Sequence, residues 1–143
     1  MIIRPYRIED EAAVIALWVK CELVRPWNDP QKDIQRKLQV QPELFLVGED
    51  EHGHIIASVM AGYEGHRGWL NYLAVDPGHQ RCGHGRSIMV EAERLLRERG
   101  CPKINLQVRA SNAAAAAFYN ALGYSLDEVI SLGKRLANDA PPA

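Results

Sequence analysis

The segment from Val75 to Arg86 carries the residues best suited to chemistry. It reads Val-Asp-Pro-Gly-His-Gln-Arg-Cys-Gly-His-Gly-Arg and joins an apolar stretch to an amphipathic one. Gly83 and Gly85 carry no side chain at the predicted start of a helix, so a ligand can approach the main chain closely there. The first amide groups of a helix lack internal acceptors and carry partial positive charge, to which Arg81 and Arg86 add full charges. Such a turn is typical of a phosphate- or diphosphate-binding site.

Two common phosphate-binding loops do not match this segment. A nucleoside-triphosphate P-loop needs a lysine and then a serine or threonine after its last glycine, whereas Arg86 and Ser87 follow Gly85 at the wrong spacing. A dinucleotide-binding fold needs a third small residue where Ile88 stands and an acidic residue about twenty positions later, and we find neither. The segment therefore predicts a phosphate site of another class.

Other reactive side chains give weaker signals. Cys82 lies in the same loop, but no third residue is identifiable that would orient it as a nucleophile, so a passive loop position is the preferred interpretation. His52 and His54 flank Gly53 in a predicted turn, and too few further ligands accompany them for a metal site. We therefore expect no metal.

Hydrophobic periodicity predicts the elements that must position the loop. Strands are predicted over 1–7, 44–47, 55–63, 69–75 and 104–108, helices over 8–21, about 30–40, 86–100 and 112–122, and a last strand or hairpin within 124–136. Three consecutive strands favour an antiparallel meander, and the strand–helix–strand unit over 69–108 favours a parallel crossover. The predicted fold class is therefore α/β (α+β), with a mixed sheet and about four helices.

Composition excludes several classes of protein. The 143 residues are 47% hydrophobic and 24% charged, which is ordinary for one globular domain. A formal net charge of −1 gives no overall basic field for nucleic acid or membrane, and no apolar run is long enough to span a bilayer. Three cysteines without a CxxC motif, and no visible signal peptide, favour a reduced, cytoplasmic setting. We expect one domain over 1–137 and a disordered tail over 138–143.

Two motifs resemble those of the GNAT superfamily of acetyl-CoA-dependent N-acetyltransferases. The run from Gln80 to Gly85 fits the pattern Q/R-x-x-G-x-G/A, with which that family binds the diphosphate of acyl-coenzyme A, and 73–77 resembles the strand that leads into it. About thirty residues later, Asn112 and 118–124 resemble the family segment N-x(5–6)-F/Y-Y-x-x-x-G-F/Y. The close match covers about 70–124, and the order of elements extends it over roughly the first 136 residues.

The resemblance implies a GNAT fold, whose mixed, mostly antiparallel sheet has a V-shaped split, and acetyl-CoA as co-substrate. Main-chain amides of the loop would hold the coenzyme diphosphate. The strand over 72–75 would splay from its neighbour and offer main-chain groups to the pantetheine arm. The coenzyme-binding residues so implied are Leu73, Ala74, Val75, Gln80, Arg81, Cys82, Gly83, His84, Gly85, Arg86 and Asn112.

The resemblance also implies direct attack of an amine on the thioester, with no covalent enzyme intermediate. Tyr119 would protonate the departing thiolate, and a main-chain amide near Leu73 would polarise the thioester oxygen. Many relatives carry a glutamate near the start of the fourth strand that acts as a base directly or through water, but 69–75 contains no acid. Glu64, just upstream, and His66, in the turn between the strands, are the candidates for that role.

The missing strand acid bears on the acceptor. A lysine amine of pKa ~10.4 is uncharged in roughly one molecule in 2,500 at neutral pH, a cost of ~4.6 kcal/mol. An α-amine of pKa ~7.7 is uncharged in about one molecule in six, a cost of ~1 kcal/mol. We therefore favour the N-terminal α-amine of a protein or peptide as the acceptor, with a small-molecule amine as the alternative. A non-catalytic acyl-CoA-binding sensor is the alternative from another class.

The acceptor pocket is expected in the segments that resemble the family least. These are 22–29, 63–68 and the residues after 124. The candidate lining residues are Trp27, Tyr63 and Trp69, and the candidate cation-binding residues are Glu22, Asp29 and Glu64. Strand edges expected near the C-terminal end also make a homodimer possible.

Overall fold

Five apolar stretches pair into one sheet in the computed structural model, which describes residues 1–140. The strands are β1 (Ile2–Pro5), β2 (Phe45–Glu49), β3 (Ile55–Tyr63), β4 (Gly68–Val75) and β5 (Ile104–Leu106). They lie in the order β1-β2-β3-β4-β5. The first three pairings are antiparallel, and β5 runs parallel to β4. This mixed, mostly antiparallel sheet with its flanking helices confirms the predicted α+β class.

Four α-helices of the described chain occupy the places that the apolar periodicity predicts. They are α1 (Glu11–Lys20), α2 (Pro30–Lys37), α3 (His84–Glu98) and α4 (Ala113–Ala121). The start of α2 shows the local cause. The Asp29 carboxylate accepts the main-chain amides of Gln31 and Lys32 at 3.0 and 3.3 Å, and Pro30 takes the first helical position, where no amide hydrogen is needed.

Contacts along the chain divide the described residues into two compact units. The first comprises residues 1–106 together with the described residues from Asp139 onward, and it holds the whole sheet with α1, α2 and α3. The second comprises residues 107–138 and contains α4. The sequence predicts one domain over 1–137 and does not anticipate this division.

The core of the first unit lies on both faces of the sheet. Trp18 of α1 and Ile34 of α2 belong to one buried cluster with Phe45 and Val47 of β2. Leu46, between those two β2 residues, is 2% exposed, and alternation along a strand turns it to the other face. There α3 packs on β2, β3 and β4 through four buried residues at helical spacing, Ile88, Met89, Ala92 and Leu96. Helices on both faces hold β4 and the loop that follows it in place.

The strand or hairpin predicted within 124–136 is wrong, because the structure has no helix or strand there. The apolar residues that suggested it are each at least 76% exposed; they are Leu126, Val129, Ile130, Leu132 and Leu136. A strand is stable when one of its faces is buried, and no part of the described chain buries these side chains. β5 is likewise shorter than predicted, since it ends at Leu106 rather than at Val108.

The disordered tail predicted over 138–143 stays a prediction. Within that range, the Asp139 carboxylate accepts two hydrogen bonds from the Arg36 guanidinium of α2, at 2.7 and 2.8 Å. The last three residues of that prediction lie outside the described residues. Within residues 1–140 no helix combines the length and apolar character needed to cross a bilayer.

Candidate functional site

The two halves of β4 are built differently. Residues 68–70 pair with β3 on one side and with 104–106 of β5 on the other. The register with β5 ends at Leu70, so 71–75 have no strand partner on that side within the described chain. Parallel pairing confined to three residues at one end leaves the sheet open at the other end, as the predicted V-shaped split requires.

A β-bulge lies where β4 loses its second partner. Asn71 pairs with Met60 and Ala74 pairs with Ser58, so three steps along β4 match two steps along β3. The extra residue gives Tyr72 a φ of 53°, in the left-handed region that residues other than glycine rarely adopt. The bulge changes which main-chain groups of β4 face the split.

Main-chain directions follow from the hydrogen bond that ends the strand. The Asp76 amide donates to the Ile56 carbonyl of β3 at 2.8 Å. Because main-chain groups of successive strand residues point to opposite sides, Ala74 faces β3, whereas Leu73 and Val75 face the open side. The Val75 carbonyl accepts the Gln80 side-chain amide there, at 3.2 Å. The Leu73 amide has no pairing partner in the register and points into the split.

A buried chain of hydrogen bonds holds the bulge. The Trp18 indole N–H donates to the Ser58 hydroxyl at 2.8 Å, and that hydroxyl donates to the Tyr72 carbonyl at 2.8 Å. The Trp18 and Tyr72 rings stack with their centroids 3.8 Å apart. The Tyr72 hydroxyl donates to the Asp33 carboxylate at 2.6 Å, and burial together with that carboxylate raises the pKa of the Tyr72 phenol far above its ordinary value.

The loop after β4 is fixed by its own side chains. The Asp76 carboxylate accepts the Gly78 amide at 2.8 Å and forms an ion pair with Lys20 of α1 at 3.3 Å. These contacts hold the pKa of Asp76 below its usual range, the Gly78 amide being the main cause. Gln80, from the diphosphate motif, uses its side-chain amide to tie the loop back to β4. Its position in the structure therefore supports the loop.

The start of α3 presents uncapped main-chain amides. The residue before the helix is Gly83, with a φ of 80°, and it has no side chain to cap the helix. The first amide of the helical ladder is that of Ser87, which donates to the Gly83 carbonyl at 3.0 Å. The preceding amides, from Gly83 to Arg86, have no helical acceptor. A Cβ built on Gly83 would meet no atom within 4 Å, so space for a ligand lies directly above them.

The charged residues of the loop are free to meet an anion. Arg81 and Arg86 are exposed, and neither forms an ion pair with the described residues. Arg81 also has a positive φ, of 64°, so two of three consecutive residues before α3 are left-handed. Cys82 is exposed and its thiol lies 3.6 Å from the Gln80 carbonyl oxygen. Cationic side chains and open amides make this helix start suited to a diphosphate.

The second unit carries the predicted acid. Asn112 caps α4 by accepting the Ala115 amide at 3.0 Å, as its position before the helix predicts. Tyr119 is half-buried and lies edge-on to the rings of Phe118 and Tyr124, at 5.2 and 5.9 Å. Burial raises the pKa of the Tyr119 phenol, so this side chain keeps its proton at neutral pH.

Glu64 lies in the turn before β4. Its carboxylate accepts the main-chain amides of His66, at 2.7 Å, and of Arg67, and these two bonds lower its pKa. Five steps along the strand lead from Gly68, which follows this turn, to Leu73, a distance of about 16 Å at the usual rise per strand residue. These contacts describe a carboxylate that stabilises a turn. The role of base for Glu64 stays a prediction that none of them supports.

The predicted acceptor residues are scattered over several elements. Trp27 and Trp69 are 41% and 39% exposed. Tyr63 donates its hydroxyl to the Gly65 carbonyl at 3.2 Å, and Asp29 uses its carboxylate to begin α2. Nowhere in the described chain do three or more histidine, cysteine, aspartate or glutamate side chains gather as a metal site would need.

Sequence reasoning missed the Trp18–Ser58–Tyr72 chain. One signal was available. Ser58 stands in the middle of the apolar strand Ile55–Tyr63, and a serine buried at such a position needs hydrogen-bond partners.

Known proteins match the chain over most of its length. The model of the acetyltransferase (GNAT) family matches residues 12–124. A protein of Pectobacterium atrosepticum described as an acetyltransferase is 49% identical over 139 residues, which is 97% of this chain and 98% of that protein.

Solved structures give the same fold. The ribosomal-protein-S18-alanine N-acetyltransferase from Escherichia coli is 30% identical, with a TM-score of 0.68 over 85% of this chain and 76% of that one. Chaetomium thermophilum Naa20, in complex with a bisubstrate analogue, is 28% identical, with a TM-score of 0.70 over 87% of this chain and 71% of that one.

Proposed function

Because this chain belongs to the acetyltransferase (GNAT) family and is an N-acetyltransferase, we propose that it moves the acetyl group of acetyl-CoA to the N-terminal α-amine of a protein or peptide. The observation that carries the coenzyme part of the proposal is the uncapped start of α3 beside the open half of β4. The first supplies amides for a diphosphate, and the second supplies main-chain groups for an amide-bearing arm.

The diphosphate is bound by the amides from Gly83 to Arg86. Amide groups at a helix start point toward the ligand and carry partial positive charge, and Arg81 and Arg86 add full charges. The left-handed Gly83 leaves the approach open, since no atom lies within 4 Å of its missing Cβ. These features make the residues present a good fit for the coenzyme.

The pantetheine arm pairs with the open side of β4. The main-chain groups of Leu73 and the amide of Val75 face that side, where the arm takes the place of the strand partner that β5 does not provide. The Val75 carbonyl already accepts the Gln80 side-chain amide. An amide-bearing chain can form strand-like hydrogen bonds there. The Leu73 amide then lies beside the thioester and donates to its oxygen as negative charge develops.

The transfer itself is one displacement. The uncharged acceptor amine attacks the thioester carbon, a C–N bond forms, the C–S bond breaks, and the amine loses a proton to water or a base. The departing thiolate has an ordinary pKa near ~8.5, and the Tyr119 phenol supplies its proton. Burial keeps that phenol protonated until it is needed.

Two observations support an α-amine as the acceptor. The Escherichia coli relative, which is 30% identical to this chain, is a ribosomal-protein-S18-alanine N-acetyltransferase. In addition, β4 offers no carboxylate over its whole length, so little help is available for a strongly basic amine. An α-amine needs about 3.6 kcal/mol less than a lysine amine to become uncharged at neutral pH.

A thiol-release assay tests the proposal. The protein is incubated with acetyl-CoA and a panel of peptide α-amines, peptide lysines and small amines, and free thiol is followed. We expect turnover with α-amines, and Tyr119→Phe should lower kcat roughly a hundredfold with little change in KM. Tyr124→Phe, a neighbouring tyrosine of the same unit, is the matched control and should keep its rate. Tight coenzyme binding without acceptor-dependent thiol release would instead identify a sensor.

A further inference from the structure

Resting on the proposed function, we propose that Ser58 is a positioning residue for acetyl transfer, which acts through the peptide group between Tyr72 and Leu73. Ser58 lies in β3 and pairs with Ala74 of β4, and its side chain is fully buried, so it acts on the site only through β4. Its hydroxyl holds the carbonyl at one end of that peptide group. The amide at the other end is the one that polarises the thioester.

The planar peptide group between Tyr72 and Leu73 links the Ser58 hydrogen bond to the direction of the Leu73 amide. The Tyr72 carbonyl and the Leu73 amide belong to one rigid, trans peptide unit, so they point in opposite directions. The Ser58 hydroxyl draws the carbonyl toward β3 with a 2.8 Å hydrogen bond. The Leu73 N–H therefore points away from the Ser58 hydroxyl, and we infer that it faces the split beside 71–75, where β4 lacks a second strand partner. One hydrogen bond in the core thus sets the direction of a main-chain donor in the site.

The bulge makes this hydrogen bond necessary. In a regular antiparallel pair the ladder itself fixes every second peptide group, but the extra residue of a bulge is left without a ladder partner. Tyr72 also has a φ of 53°, a strained conformation for a residue with a side chain. Without a hold from outside the ladder, the peptide group could rotate to a more relaxed orientation. Ser58 supplies that hold.

The hydroxyl of Ser58 is itself fixed. Ser58 is fully buried, so no water competes for it. It accepts the Trp18 indole N–H at 2.8 Å, which occupies a lone pair and leaves the O–H to aim at Tyr72. Trp18 is fully buried too, and its ring stacks on that of Tyr72 at 3.8 Å. The Ser58 hydroxyl is therefore held in one orientation and donates to the Tyr72 carbonyl.

The test compares the wild-type protein with Ser58→Ala, which lacks the hydroxyl. Ser58→Ala should lower kcat about ten- to hundredfold, because the thioester oxygen loses an aligned donor. The Kd of acetyl-CoA should stay within about twofold, since the amides and arginines of the α3 start, which hold the coenzyme, are untouched. The infrared stretch of the thioester carbonyl in bound acetyl-CoA is the decisive reading. It should move toward its value in free acetyl-CoA, an effect that a loss of stability alone does not produce.

Two controls separate positioning from general weakening. Asp33→Asn keeps an acceptor oxygen for the Tyr72 hydroxyl and leaves the main-chain hold intact, so its kcat and carbonyl frequency should match those of the wild type. Ile34→Val trims another fully buried core residue and should match the wild type in the same way. Ser58→Cys keeps the volume with a weaker donor, so it should shift both readings in the same direction, and it replaces Ser58→Ala if that variant does not fold.

The outcomes are distinct. A lowered kcat with a shifted carbonyl frequency in Ser58→Ala or Ser58→Cys, and not in the controls, supports the inference. Wild-type kcat and carbonyl frequency in a folded Ser58 variant would overturn it and leave the proposed function standing. A wild-type protein that binds no acetyl-CoA would overturn the proposed function, and this inference with it.

Discussion

The two halves of β4 differ in how they pair: one has a strand partner on both sides, and the other has a partner only on the β3 side. In residues 68–70 the strand has a partner on each side, and burial alternates strictly: Gly68 and Leu70 are buried and Trp69 is exposed. In residues 71–75 the register slips by one residue, the partner on the β5 side is missing, and the alternation fades. The main-chain groups of the first half face a strand partner on each side. In the second half, the groups that face away from β3 have no strand partner within the described chain.

The difference shows how one strand serves stability and binding together. The regular half, paired on both sides, fixes the strand in the sheet. The irregular half can carry the strained conformation of Tyr72 because hydrogen bonds from Ser58 of β3, which Trp18 of α1 supports, and to Asp33 of α2 hold that residue. The loop and α3 continue from the irregular half, so the main-chain donors of β4 and those of the helix start come from one stretch of chain. Substitutions can break either half separately.

The largest effect should follow from Gly83→Val, at the ligand end. Valine at a φ of 80° is strained by roughly 1–2 kcal/mol, and its side chain fills the space above the helix start. We expect acetyl-CoA to bind about ten- to hundredfold more weakly, or ~1.4–2.8 kcal/mol, by calorimetric titration. Gly53→Val is the matched control, because Gly53 has a φ of 78° and equally open surroundings in the turn before β3. Equal affinities in the two variants would contradict the loop assignment.

The next effect should follow from Gly68→Ala, in the regular half. A Cβ there would stand 2.8 Å from the Cys101 sulfur and 3.3 Å from side-chain atoms of Ile104 and Leu96. Such overpacking lowers the free energy of unfolding by about 1–3 kcal/mol, which urea denaturation measures. Folded Gly68→Ala should bind acetyl-CoA like the wild type.

Gly62→Ala of β3 serves as the control for that substitution. Its Cβ would meet no atom closer than 3.6 Å, so it should unfold close to the wild-type midpoint. If Gly68→Ala weakened coenzyme binding as much as Gly83→Val does, the division of β4 into two halves would be wrong.

The sequence predicted the loop and helix that follow β4 better than the bulge within the strand. The loop and its helix were visible because glycine spacing and a resemblance to GNAT proteins both mark them. The bulge was not predicted, because the unbroken apolar run over 72–75 does not show which residue is the extra one, and Tyr72 is not a residue type that signals a positive φ. The buried Ser58 was the one clue.

Local sequence patterns also gave a wrong strand within 124–136 and an unsupported role for Glu64. The apolar residues near Val129 and Leu132 suggested a strand, but a strand also needs a surface to bury one face, and sequence periodicity says nothing of that surface. Glu64 was chosen as a base because it stands just before the strand. Its hydrogen bonds to two turn amides were not visible, because turn geometry depends on main-chain angles that a sequence only partly determines.

The smallest effect should follow from Glu64→Ala, in the turn before the regular half. The lowered pKa of Glu64 means that its carboxylate stabilises the fold above the ordinary carboxyl pKa, and that this contribution is lost as pH falls through the folded-state pKa. We therefore expect a Tm lowered by at most a few degrees at neutral pH, with the difference vanishing in acid. A base at this position predicts a different result: a rate that falls at neutral pH and recovers in alkali.

The most direct measurement of the central claim is an amide NMR titration of the wild-type protein with acetyl-CoA. If main-chain groups of the irregular half and of the helix start hold the coenzyme, the amides of Leu73, Val75 and 83–86 shift on binding, and those of Gly68 and Leu70 stay in place. Saturation of the protein with the first group unmoved, or with shifts centred on Gly68 and Leu70, would contradict the account.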